Sequence, residues 1–136
     1  WTACAAHVAV APSGEVTVKK LTVAPDVGTQ VNPDGIRAQA EGAALWGLSL
    51  ALYEKATLKD GGIEQTNFDS YTPLRMSQLP EVTVNVISNG ERATGVGEPA
   101  VTVIAPAIGN AVFNAVGARV RALPITAEAV KAAMKA

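Results

Sequence analysis

The spacing of apolar residues changes period along the chain, and each change marks an element. Residues 3–11 alternate weakly among small apolar groups, and Glu15–Val23 carries Val16, Val18, Leu21 and Val23. With Pro12-Ser13-Gly14-Glu15 between them, the two runs predict a β-hairpin. The alternation slips between Val18 and Leu21, which predicts a bulge. Next, Val31-Asn32-Pro33-Asp34-Gly35 has turn chemistry, with Asn32, Asp34 and Asp26 available to cap or brace it. Beyond it Ile36, Ala40, Ala43, Ala44, Gly47, Leu48, Ala51 and Leu52 recur at helical intervals. Only Arg37, Gln39, Glu41, Trp46 and Ser49 interrupt this surface. Such a pattern predicts a buried helix whose small residues admit close neighbours.

Periodicity is weaker in the second half. Lys59-Asp60-Gly61-Gly62 predicts a second hairpin between Ala56–Leu58 and Ile63–Asn67, and Phe68–Pro80 reads as an ordered crossing loop. Val82, Val84 and Val86 alternate within Glu81–Ile87, a half-buried strand. Pro106 suits the first turn of a helix from about Ala105 to Val116, with Gly117 as its stop. Arg119–Leu123 predicts a short strand. Thr126 then caps a last helix, with Glu128 near its positive end and Lys131 and Lys135 toward its negative end. Strands and helices mix without a regular βαβ rhythm, so the expected class is α+β, with buried helices. No repeat and no linker divides residues 1–136, which read as a single segment.

Composition narrows the function. Of 136 residues, 49% are apolar and 17% charged, enough for a real core and against disorder. Eleven Lys and Arg against twelve Asp and Glu leave a net charge of −1, which argues against nucleic acid as a partner. No apolar run approaches the ~20 residues of a membrane-spanning helix, so no direct membrane span is expected. Cys4 is the only cysteine, which excludes an internal disulfide and a Cys-only metal cluster. His7 lies three residues further along the same predicted strand and faces the other way, a poor chelate. No side chain here is expected to ligate a metal. The first residue is Trp1 and not methionine, as expected for a processed chain or a piece of a longer one.

Two polar residues are candidates for chemistry. Glu98 follows Gly95-Val96-Gly97, glycines that permit backbone angles closed to other residues, and precedes Pro99, which biases it toward extended geometry. Its neighbours are apolar, with no Lys or Arg within five residues on either side. A carboxylate on a rigid apolar turn is expected to be desolvated, which strengthens it as a base; an exposed loop glutamate is the competing reading. Gly95-Val96-Gly97 itself lacks the third glycine of a dinucleotide fingerprint and the Lys-Ser/Thr of a P-loop. Gln39 is an amide in a mostly apolar helix. Either it is buried and needs partners, or it shares one wet stripe with Arg37 and Glu41.

Taken together these segments resemble a known family. Val31-Asn32-Pro33-Asp34-Gly35-Ile36-Arg37-Ala38-Gln39-Ala40-Glu41-Gly42 is similar to a stretch near the end of the molybdenum-cofactor subunit of the xanthine dehydrogenase/aldehyde oxidase family, and Gly97-Glu98-Pro99 resembles its Gly-Glu-Pro motif. Glu64-Gln65-Thr66-Asn67-Phe68, Tyr71, Leu74-Arg75-Met76, Pro80-Glu81-Val82, Ala105-Pro106-Ala107-Ile108 and Ala111-Val112-Phe113 follow the isoquinoline 1-oxidoreductase β-subunit-like branch. The match runs from about residue 5 to 125, in order.

The resemblance implies an oxidoreductase that converts aldehydes to acids or hydroxylates N-heteroaromatic rings with oxygen from water. In it Glu98 is the general base, Gln39 hydrogen-bonds the pterin, and Gly97 belongs to the cofactor-binding turn. It implies a molybdopterin-type cofactor in its cytosine dinucleotide form, with [2Fe-2S] clusters on another subunit. The family's subunit is several times longer, and its other pterin-binding segments have no match here. The chain is therefore expected to be the C-terminal part of a catalytic domain, completed by a partner chain that shares the cofactor. An iron–sulfur subunit is implied too, with a flavin or cytochrome subunit as a further candidate and a small organic molecule as substrate. The bacterial periplasm is the location the resemblance favours, the cytoplasm the alternative. A non-catalytic structural subunit of such a complex is the alternative function.

Overall fold

A computed structural model describes residues 1–134 of the chain. Its first unit is the predicted hairpin: β1 (Thr2–Val10) pairs antiparallel with β2 (Val16–Pro25). The register shifts where His7 faces Lys20 but Val8 faces Val18, leaving Lys19 as the extra residue of a bulge. That bulge lies inside the interval where the apolar alternation slips.

Helix α1 (Pro33–Leu52) begins at Asn32, whose side-chain oxygen accepts the Gly35 N–H at 3.0 Å, with Pro33 in its first turn. Asp26 braces the preceding turn by accepting the Gly28 N–H at 3.1 Å and the Asn89 amide at 3.0 Å. Only one side of α1 is buried, along Ile36, Ala40, Ala44, Leu48 and Ala51. Ala38, Gln39, Gly42 and Trp46 are exposed, so this chain does not enclose α1 as expected. Apolarity along that side comes from small residues, and nothing in the 134 described residues covers them.

After α1, the short strands β3 (Leu58–Lys59) and β4 (Gly62–Ile63) form the second hairpin about Asp60-Gly61. The crossing loop holds one 3-10 turn, Met76–Gln78, and is tied to α1 where Ser49 Oγ accepts the Leu74 N–H at 2.9 Å. It delivers β5 (Glu81–Val84), which pairs parallel with β2 and completes a three-stranded sheet in the order β1-β2-β5.

Helix α2 (Val101–Val116) starts four residues before the predicted start at Ala105. The turn at Pro99-Ala100 launches it, with the Val101 N–H donating to the Glu98 carbonyl at 3.0 Å and the Thr102 hydroxyl to the Pro99 carbonyl at 2.8 Å. Pro106 therefore lies inside the helix and offers no N–H to the Thr102 carbonyl four residues back. Both residues are exposed, so water can satisfy that carbonyl. The early start lets Ile104, Ile108 and Val112 form one fully buried stripe.

No strand forms at Arg119–Leu123. Among the described residues its backbone bonds to neither open sheet edge, β1 or β5, and the chain bends at Ala122, Leu123 and Pro124. Thr126 Oγ1 caps α3 (Ala127–Met134) as expected, accepting the Ala129 N–H at 3.2 Å, and Glu128 stands in its first turn. Lys135 lies outside the described residues. The helices α1 and α2 cover one face of the sheet, and Leu21, Val23, Leu48, Ile104, Ile108, Val112 and Val130 fill the layer between. Gly47 makes this close: a Cβ there would stand 2.8 Å from Ile104 Cβ. Cys4 points into this layer, where burial pushes its thiol pKa up, while His7 is exposed on the opposite face. No helix among the described residues is long and apolar enough to cross a membrane.

Candidate functional site

The turn that launches α2 carries Gly97 and Glu98, and a short network holds it beside α1. Gly28, at φ +68°, lets the chain after β2 pass so close to Arg92 that a Cβ would fall 2.3 Å from its carbonyl oxygen. The Thr29 N–H and hydroxyl donate to the Glu91 carbonyl at 2.9 and 2.8 Å, and the Thr94 N–H to the Val27 carbonyl at 3.0 Å. Residues 91–94 are thereby stitched to the end of the sheet. Gly95, Val96, Pro99 and Ala100 then pack beside Ile36 and Ala40 of α1.

This brings together two segments far apart in sequence. Gln39 Nε2 donates to the Gly97 carbonyl at 3.3 Å. The two residues share a recess of about 610 Å³ with Gly42, Ala43, Trp46 and Glu98. Gln39, Ala43 and Trp46 follow one another along one side of α1, while Gly97 and Glu98 form the opposite wall. On the other side of Gln39 lies a smaller concavity of about 310 Å³, lined by Val27, Asn32, Thr94 and Val96 among others. Gln39 is thus exposed and stands on the ridge between two hollows. Of the two readings open to it, the wet surface is what this chain shows. Arg37 is exposed as well, and its guanidinium donates to the Val84 carbonyl at 2.9 Å.

Glu98 does not match its expected surroundings. Its side chain is exposed, so this chain supplies none of the predicted desolvation. Gly95 and Gly97 do not adopt positive φ, and a Cβ on either would meet nothing within 4 Å. No backbone requirement accounts for them. Gly42, mid-helix on the same recess, has equally empty space before it. Sequence reasoning singled out Gln39, Gly97 and Glu98, and the structure places all three on one recess. It missed Trp46, Ala43 and Gly42 as lining. Their spacing from Gln39, seven, four and three residues on, was the available signal.

Among the described residues Glu98 is the only charged one on the recess, and with Gln39 it provides one acceptor-only group and one amide that both donates and accepts. That set can bind the mixed donor–acceptor edge of a flat heterocycle and take up a proton beside it. Among the described residues no cluster of His, Cys, Asp or Glu could hold a metal ion.

Comparison with known proteins converges on one family. A family model described as a molybdopterin cofactor-binding domain matches residues 1–80. A membrane-bound aldehyde dehydrogenase (pyrroloquinoline-quinone) of Gluconacetobacter polyoxogenes is 49% identical over 126 residues, 92% of this chain and 16% of that protein. Isoquinoline 1-oxidoreductase subunit beta of Brevundimonas diminuta is 37% identical over 110 residues, 81% of this chain and 14% of that one. The crystal structure of the aldehyde oxidoreductase from Desulfovibrio desulfuricans superposes with a TM-score of 0.83 at 30% identity, over 93% of this chain and 14% of its own. The chain therefore spans less than a fifth of the length of each.

Proposed function

The chain belongs to the molybdopterin cofactor-binding domain family, and from that premise we propose that its recess is one wall of the active site of a molybdenum-dependent oxidoreductase. The observation that carries this reading is the Gln39–Gly97 hydrogen bond, which closes 58 residues of sequence and leaves Glu98 on the same recess. The substrates are aldehydes, oxidised to carboxylic acids, or N-heteroaromatic rings, hydroxylated with oxygen from water.

The recess fits a pterin better than the quinone named in one relative. Pyrroloquinoline quinone is a polycarboxylate and needs cations, whereas among the described residues this recess has no Lys or Arg and carries Glu98. A pterin presents an uncharged donor–acceptor edge, which suits the Gln39 amide. Gly97 and Gly42 each leave one position on the recess without a Cβ, so a planar group can approach the backbone there. The bound cofactor would supply the electron-accepting chemistry of the hydroxylation. Glu98 takes the proton from the water-derived oxygen as it attacks carbon, the work of a general base. Its exposure here means that the dry surroundings a strong base needs come from polypeptide closing over the recess.

Residues 1–136 are accordingly the C-terminal part of a catalytic domain, active only with the chain that carries its remainder. The cofactor is the cytosine dinucleotide form, shared across that junction. Electrons leave through [2Fe-2S] clusters on an iron–sulfur subunit and then through a flavin or cytochrome partner. The periplasm is the proposed compartment, the cytoplasm its alternative.

Glu98→Gln in the assembled enzyme keeps the shape and removes the base. It is expected to lower kcat about 10²–10⁴-fold at unchanged pterin and molybdenum content. Near-normal turnover with full cofactor content would leave the non-catalytic structural subunit as the surviving reading.

A further inference from the structure

The recess of Gln39 and Glu98 has two unlike ends. Gln39 and Trp46 are seven residues apart on α1, two helical turns, which puts roughly 10 Å of helix axis between them. The Gln39 end is polar, with its amide donating to the Gly97 carbonyl at 3.3 Å. The other end is aromatic. Trp46 lines the recess and is 53% exposed, and its neighbours one turn back on the same side, Gly42 and Ala43, are too small to cover the indole.

Trp46 has no part in the chemistry assigned above. Proton transfer belongs to Glu98 and the pterin edge to Gln39, which leaves the indole for the third component, the molecule that is oxidised. An indole face is broad and apolar and stacks on another ring with a geometric preference that a flexible alkyl chain lacks. Charge narrows the choice further. Among the described residues Glu98 is the only charged one on the recess, and a substrate carboxylate beside it would be repelled. An apolar aromatic wall with a few polar groups that fix orientation is the usual composition of a small-molecule site.

We propose that Trp46 is the specificity-determining residue of this recess and selects an uncharged aromatic substrate by stacking on its ring. The inference rests on the reading of the recess as one wall of an active site. It names the substrate class within that reading: an aryl aldehyde or a carboxylate-free N-heteroaromatic ring. Trp46 holds the ring from α1, and Glu98 meets it from the opposite wall. Alkyl aldehydes and ring carboxylates are the disfavoured classes.

Binding of unreactive analogues to the assembled, cofactor-loaded enzyme tests this without turnover. Benzamide represents the uncharged aromatic class, butyramide the alkyl class and benzoate the anionic one. Calorimetry is expected to show benzamide bound about fivefold more tightly than either of the others. Trp46→Ala should weaken benzamide about fivefold and butyramide by about twofold at most, at unchanged pterin and molybdenum content. Trp46→Phe keeps a ring and should recover most of the loss. Glu98→Gln should tighten benzoate and leave benzamide as it was. Retained turnover in that variant, with benzamide binding still dependent on Trp46, discards the general base and keeps the aromatic wall.

Unchanged benzamide binding in Trp46→Ala overturns the proposal and leaves the indole to be covered by polypeptide. Loss of cofactor with equal weakening of benzamide and butyramide overturns it too, and assigns Trp46 to the cofactor. So does butyramide or benzoate bound as tightly as benzamide by the unaltered enzyme, or benzamide not bound at all.

Discussion

The two faces of α1 are built from the same small residues to different ends. Inward, Ala40, Ala44, Gly47 and Leu48 meet the sheet and α2, and Gly47 has no room for a methyl group beside Ile104. Outward, Gly42 and Ala38 are exposed, with Gln39 and Trp46 beside them, and a Cβ on Gly42 would touch nothing. Smallness on the first face is explained by packing within the chain. On the second it is not, and mid-helix glycine costs ~1 kcal/mol relative to alanine. Trp46, 53% exposed, sharpens the contrast: a large apolar ring stands uncovered beside these small residues.

Substitutions along α1 separate these explanations. Leu48→Ala should cost most, about 2–5 kcal/mol, because Leu48 is only 1% exposed and the cavity cannot collapse against two helices and a sheet; urea unfolding measures it. Next in size is a pair of identical changes with opposite signs. Gly47→Ala forces Ile104 to move and should destabilise by about 1–3 kcal/mol, more than its gain in helix propensity. Gly42→Ala should stabilise by up to about 1 kcal/mol while lowering the cofactor content of the assembled enzyme. If both changes stabilise, the inner face is not tightly packed. If Gly42→Ala leaves cofactor content untouched, nothing approaches the outer face there.

The smallest effect belongs to the sheet surface, which serves as a control. Lys20 and Glu81 pair at 2.6 Å across β2 and β5, and the hydrogen bond and charge of Lys20 hold the Glu81 carboxyl below its ordinary pKa. A lowered folded-state pKa contributes stability above the unfolded value and loses it as pH falls through the folded one. The pair is exposed, so the gain is slight and screened by salt. Lys20→Met should lower the melting temperature a little at neutral pH. That difference should vanish under acid conditions that protonate Glu81.

Much of the fold was legible because its signals are local. Apolar period and turn chemistry mark the β1–β2 hairpin with its bulge, the cap at Asn32 and the course of α1, each of which depends on residues within a few positions. The failures share a cause. Pro106 reads locally as a helix start, but Ile104 is drawn into the core and pulls the beginning of α2 back to Val101. Arg119–Leu123 has a strand's alternation, and alternation cannot say whether a partner edge exists. Glu98 has apolar sequence neighbours, yet its side chain faces away from them.

By itself the sequence determined the β1–β2 hairpin, the course of α1, the family and the identity of the polar groups, since side-chain chemistry and short-range backbone preference are written residue by residue. Only the tertiary structure decided that Gln39 and Gly97 touch, that Trp46 and Gly42 line the recess with Glu98, and that Arg119–Leu123 forms no strand. Those outcomes depend on how α1, α2 and the sheet pack. Packing is set by contacts between residues far apart in sequence, which no local pattern encodes.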